Sequence, residues 1–102
     1  MPVLERIIEE KACAYAEHKL GMRALKLRLA TNSGWPDRTF LYKGRAIFIE
    51  FKRPGEKAEP LQQHTLERLE RQGFKAVVCD DLDKAIFILD NWKKYVDDQL
   101  SV

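Results

Sequence analysis

The sequence predicts an α/β fold with the element order αβββαβα, in which a mixed sheet is flanked by helices. Three observations lead there. Apolar residues recur at helical spacing near both ends and once in the middle of the chain, and short strand-like runs lie between those stretches. Two of these runs meet at Lys43-Gly44, a dipeptide suited to a tight hairpin turn. The run AIFIEF is apolar on both faces of a would-be strand, so that strand is central and covered on both sides. A chain of 102 residues accommodates a single domain, 1–102, with one modest core.

Each element has its own local reason. LERIIEEKACAYAEHKLG places Leu4, Ile7, Ile8, Ala12, Tyr15 and Ala16 on one helical face, and Gly21 is a natural stop. ALKLRL (24–29) alternates apolar and cationic residues, as a strand with one covered face does. TNSGWP (31–36) reads as a loop. RTFLY and RAIFIEFK are the arms of the hairpin, and RPGEKAE (53–59) breaks the pattern. Pro60 suits the first turn of a helix running to Gly73, with Leu61, Leu66 and Leu69 as its apolar positions. FKAVVC (74–79) is a strand. The tail from Asp81, with Leu82, Ala85, Ile86, Leu89, Trp92 and Tyr95, is an acid-capped amphipathic helix.

Composition narrows the class. Hydrophobic residues at 45% and charged residues at 33% describe an ordinary globular chain, neither disordered nor fibrous. No apolar run reaches the roughly 18 residues that a membrane span requires. Charge begins at Glu5. The expectation is no membrane segment, no signal peptide and a cytoplasmic address. Cys13 and Cys79 lack any zinc-ligand spacing and read as reduced core residues. Residues 19–57 carry ten Lys/Arg against three acids, whereas residues 58–102 carry six against nine. That basic central segment suits a polyanionic partner.

The chemistry concentrates in the hairpin. With Tyr42 facing Arg45 across a two-residue turn, Asp37 stands opposite Glu50, their side chains about 5 Å apart on one sheet face. Alternation puts Lys52 on that face too. Two like charges about 4 Å apart repel by about 4 kcal/mol at an effective dielectric of about 20. The pair must share a proton, find a basic partner or recruit a cation. Lys52 compensates one carboxylate, and a hard divalent ion such as magnesium would satisfy both. Ser or Cys hydrolase chemistry finds no support, since His18 and His64 have no nucleophile partner.

Pro36-Asp37 followed by Glu50-Phe51-Lys52 at the end of a hydrophobic strand resembles the active-site signature of the PD-(D/E)XK nuclease superfamily. The longer stretch GWPDRTFLYKGRAIFIEFKRPGEKAEPLQQHTLERLERQGFKAVV is similar to the VRR-NUC domain in its small stand-alone phage and prophage form. Its most specific element is the order G-x-P-D-R, then E-x-K-x-P-G, then Leu61-Gln62. The resemblance implies a restriction-endonuclease-like fold and phosphodiester hydrolysis with Mg2+, for which Mn2+ substitutes. It assigns metal binding to Asp37 and Glu50, with the Phe51 carbonyl completing the shell. Lys52 orients or activates the attacking water, and Gln62 lies near the metal. It also implies a first-helix glutamate, Glu5 by the pattern E-x-x-I, with Glu9 as the alternative and Glu10 behind both.

Arg38, Lys43, Arg45, Arg53 and Lys57 are the candidates for DNA phosphate contacts, Arg38 and Arg53 first among them. The stand-alone members are similar in suggesting Holliday-junction resolution by a homodimer in replication and repair, in a host cytoplasm if phage-encoded. The last helix, with Trp92 and Tyr95, and the first helix are the candidate dimer surfaces. Two rival readings remain: a non-catalytic nucleic-acid-binding module with the same fold, and a domain that binds an acidic protein.

Overall fold

The computed structural model describes residues 3–27 and 34–101. Its elements are α1 (Val3–Lys19), β1 (Arg23–Leu25), β2 (Arg38–Tyr42), β3 (Arg45–Phe51), α2 (Pro60–Arg71), β4 (Lys75–Cys79) and α3 (Leu82–Leu100). The αβββαβα order stands as the sequence implies. The strands form one mixed sheet in the order β1-β2-β3-β4, antiparallel except for the parallel pair β3 and β4.

The hairpin sets the register. Lys43 and Gly44 both have positive φ, 47° and 77°. That is the geometry of the tight turn whose twist matches its flanking strands. Tyr42 therefore faces Arg45, and pairing continues without a slip to Arg38 opposite Ile49. Beyond that last pair, Asp37 meets Glu50.

β3 is central and covered on both faces. Ile47, Ile49 and Phe51 join Phe40 and Tyr42 in a core closed by Ala12 and Ala16 of α1 and Leu89 and Val96 of α3. On the opposite face Phe48 packs with Ala76 and with Leu66 of α2, while Trp35 meets Phe48 edge-on at 5.5 Å. Burying such side chains contributes roughly 1.5–3 kcal/mol each, which makes β3 the best-anchored strand and leaves little freedom to Glu50 at its end. Both cysteines are free and buried.

The structure differs from the sequence reading in detail. The strand expected over 24–29 is the three-residue β1, because Lys26 and Leu27 leave the ladder at the sheet edge. Residues 28 and 29 lie outside the described residues, as do 31–33 of the loop. On α1 the buried stripe is Ile8, Glu9, Ala12, Cys13 and Ala16, whereas Leu4 and Ile7 face outward. The stripe is rotated because Ala12 and Ala16 allow close approach to α3 and the sheet. On α3 the core position is taken by Val96, and Tyr95 is exposed. Trp92 is buried against Tyr42, so it offers no free dimer surface. Leu61 is exposed, and β4 starts one residue later than expected, leaving Phe74 outside the strand.

One glycine ties the layers together. Gly34 has φ +69°, and a Cβ there would lie 2.8 Å from the backbone oxygen of Leu61 and 3.0 Å from the nitrogen of Gln62. The absence of a side chain thus lets the segment leading to Asp37 rest directly on the first turn of α2. Gly34→Ala should cost about 1–3 kcal/mol, through the left-handed backbone and the collision with helix backbone together. Urea unfolding measures this; an unchanged midpoint would contradict the contact.

Candidate active site

Asp37, Glu50, Lys52 and Gln62 come together where β2 begins and β3 ends. The Phe51 N–H donates to Asp37 Oδ2 at 2.8 Å, and the Asp37 N–H donates to Glu50 Oε1 at 3.1 Å. Each carboxylate is therefore aimed by a backbone amide of the opposing strand. The other Glu50 oxygen, Oε2, accepts from Gln62 Nε2 at 2.8 Å and lies 3.4 Å from Lys52 Nζ. Glu50 is 3% exposed and Lys52 9%, a deep position for two charged side chains.

Gln62 is positioned by helix capping. It occupies the third residue of α2, and its Oε1 accepts from the backbone N–H of the N-cap residue Glu59 at 2.9 Å. With one end of its amide fixed by an otherwise unpaired backbone donor, the other end offers its N–H outward, to Glu50. Glu59-Pro60 followed by Gln62 is the sequence signal for this arrangement. The resemblance alone places Gln62 near the site without showing what holds it.

The contribution of α1 divides between two residues. Glu9 is 2% exposed; its Oε2 accepts from Arg38 Nε at 2.6 Å and lies 3.8 Å from Lys26 Nζ. Its Oε1 is buried without a hydrogen-bond partner. Glu5, one turn earlier, is half-buried.

The basic residues separate into three groups. Arg38 is largely internal, held by Glu9. Lys43 and Arg45 belong to the hairpin turn, and Lys43 is engaged there by Asp97 at 2.9 Å. Arg45 is remote from the carboxylates, about 16 Å along the strand from Glu50. Arg53 and Lys57 are exposed on the loop directly after Lys52, Arg53 in an ion pair with Glu56. A groove of about 680 Å³ also lies away from the carboxylates, lined by Arg45, Phe74, Phe87 and Tyr95 among others.

Burial governs the electrostatics. Loss of water raises the Glu50 carboxyl to about 7, the nearby Asp37 adds to the rise, and Lys52 opposes it. Asp37 is raised for the same first reason; the Phe51 N–H opposes the rise, while Glu9 and then Glu5 add to it through space. Among the described residues no three His, Cys, Asp or Glu side chains converge into a ready-made cation cage. The donors nonetheless fit a hard divalent ion, being oxygen ligands only, desolvated and mutually repelling. An unpartnered buried oxygen on Glu9 lies on the neighbouring helix.

A mixed sheet between helices, with paired carboxylates and a lysine at the end of its central strand, is the arrangement of a nuclease. The chain belongs to the VRR-NUC family, whose domain model matches residues 3–81. A protein of Acyrthosiphon pisum secondary endosymbiont phage 1, named "Putative nuclease p44", is 37% identical over 75 residues, covering 72% of this chain and 81% of that protein. A solved structure described as a VRR_NUC domain superposes with a TM-score of 0.75 at 24% identity, over 87% of this chain and 97% of that one, and shares the fold.

The raised Glu50 carboxyl has a signed consequence for stability. Its folded value of about 7 exceeds the ordinary 4.5, so the fold holds this proton more tightly than the unfolded chain does. The stabilisation is complete below the ordinary value and is lost as pH rises through the folded one, a loss on the order of 3 kcal/mol. Removing the charge with Glu50→Gln should open a stability gap over the wild type that widens from pH 5 to pH 8, measured by urea unfolding without metal. A gap independent of pH would contradict a desolvated Glu50.

Proposed function

We propose that the chain is a metal-dependent endodeoxyribonuclease that hydrolyses phosphodiester bonds in branched DNA, a Holliday-junction resolvase acting as a homodimer. The observation that carries this reading is the convergence of Asp37, Glu50 and Lys52 at the buried end of β3, in a chain of the VRR-NUC family. Asp37, Glu50, the Phe51 carbonyl and a glutamate of α1, Glu5 or Glu9, would hold Mg2+, or Mn2+ in its place. When bound, the ion supplies positive charge and Lewis acidity toward the phosphodiester and the attacking water.

The chain's own residues do the rest. Backbone amides aim both carboxylates, so no reorganisation is needed when the phosphate arrives. Lys52 offers a fixed ammonium in a poorly solvated position, where it steadies negative charge that develops as the P–O bond breaks. Gln62 holds Glu50 from the far side. Arg53 and Lys57, exposed beside the site, suit contacts to backbone phosphates, which position DNA without reading its sequence. Pairing of two copies is supported by the exposed Phe74, Phe87 and Tyr95, an apolar surface away from the carboxylates. Two such sites would cut the two strands of a junction symmetrically.

A non-catalytic nucleic-acid-binding module is the alternative, and the buried acidic pair weighs against it. Binding DNA gains nothing from two desolvated carboxylates, which repel phosphate and destabilise the fold.

Labelled four-way junctions, flaps and linear duplexes incubated with Mg2+ or Mn2+ test the proposal. The wild type should cut junctions in preference to duplex, and Asp37→Asn and Lys52→Ala should each lower the rate by about 10²–10³-fold. Undiminished cutting by either variant would place the chemistry elsewhere.

A further inference from the structure

We infer that Asp80 is a positioning residue for DNA binding: by accepting the Gly55 N–H, it fixes the loop 53–59 so that Arg53 and Lys57 face the substrate beside Lys52. The inference rests on the nuclease reading above, and it assigns a role to a residue outside the carboxylate cluster.

The loop leaves the sheet at a chemically demanding point. Just before it, the Lys52 N–H donates to the Cys79 carbonyl at 2.9 Å, extending the β3–β4 ladder by one bond. Three residues on, the Gly55 N–H donates to Asp80 Oδ2 at 2.8 Å. The loop is thus hydrogen-bonded to consecutive residues at the end of β4. At its other end Ala58 packs into the apolar cluster beneath α2.

Between these anchors the chain is built as a turn. The Glu56 N–H donates to the Arg53 carbonyl at 2.9 Å, and Gly55 has φ +84° with open space around its Cβ position. Glycine is required there by backbone conformation alone, in the orientation that points its N–H at Asp80. Arg53 and Lys57 flank this turn and are exposed. An exposed loop of this length would otherwise sample many conformations, and its cations would lose a fixed relation to the carboxylates.

Asp80 is suited to the task. Its Oδ1 lies 3.7 Å from Lys84 Nζ at the start of α3, leaving Oδ2 for the loop. Donation from Gly55 holds its carboxyl below the usual range, so it is charged at neutral pH. The adjacent Asp81 performs a different function, capping α3 by accepting the Lys84 N–H at 2.9 Å.

Simple electrostatics and positioning make opposite forecasts. Removing an acid near a DNA-binding surface should strengthen binding if only charge matters. On the positioning account, Asp80→Ala binds labelled four-way junction DNA about fivefold to tenfold more weakly, the loss of one charge-assisted hydrogen bond. Asp80→Asn keeps an acceptor for Gly55 and binds at least as tightly as the wild type.

Anisotropy titrations in Ca2+ measure binding, and amide exchange of Gly55 reports the latch. Weaker binding and a deprotected Gly55 in Asp80→Ala, both restored in Asp80→Asn, support the assignment. Equal or tighter binding by Asp80→Ala, or failure of Asp80→Asn to restore it, overturns it. A wild type that binds junctions but cuts none would refute the hydrolytic reading alone, because the binding comparison still decides the role of Asp80.

Discussion

Two carboxylates that would repel one another in water are held side by side in this protein by the register of one hairpin. Asp37 sits just before β2 and Glu50 just before the end of β3, and each is tied to a backbone N–H of the other strand. The arrangement depends on the Lys43-Gly44 turn being two residues long. One residue more or less would turn β3 over, sending Glu50 to the face that Ile47 and Ile49 now occupy and those two to the other. The rest of the fold serves that constraint: helices cover both faces of β3, Gly34 lets the Asp37 segment sit on α2, and α2 presents Gln62.

The site works against the fold that holds it. Glu50 is desolvated beside a like charge, and a single ammonium at 3.4 Å offsets only part of the cost. Glu9 repeats the theme on α1, where Arg38 satisfies one oxygen and the other is buried unpaired. Such groups persist where the surrounding core over-determines their positions. Here Phe51 and Ile49, fully buried beside Glu50, provide that anchoring. A pocket whose own charges are unreconciled is a form of preorganisation: the unfavourable electrostatics are already present before a ligand arrives.

Much of this is legible in the sequence, for physical reasons. The turn dipeptide dictates the strand register, and alternation along β3 then places Glu50 and Lys52 on one face. The apolar run around them marks that strand as covered on both sides. What escapes such a reading depends on long-range packing. Helical periodicity admits several rotations of α1, and the bulkier Leu4 and Ile7 point to one in which Glu9 is an outlier; close packing at Ala12 and Ala16 selects the other and buries Glu9. Arg38 and Arg53 look equivalent as flanking cations, but the fold engages Arg38 with Glu9 and leaves Arg53 on an exposed loop. The Gly55–Asp80 hydrogen bond joins residues 25 positions apart, and no local pattern announces it.

The central claim is that Asp37 and Glu50 form a desolvated pair that retains a proton until a divalent cation displaces it. Calorimetric titration of the wild type with Mn2+ near pH 7, in two buffers of different ionisation enthalpy, tests this directly. The account predicts binding accompanied by proton release, visible as a buffer-dependent heat, with both lost in Asp37→Asn. Binding without proton release, or binding that survives that substitution unchanged, would contradict it.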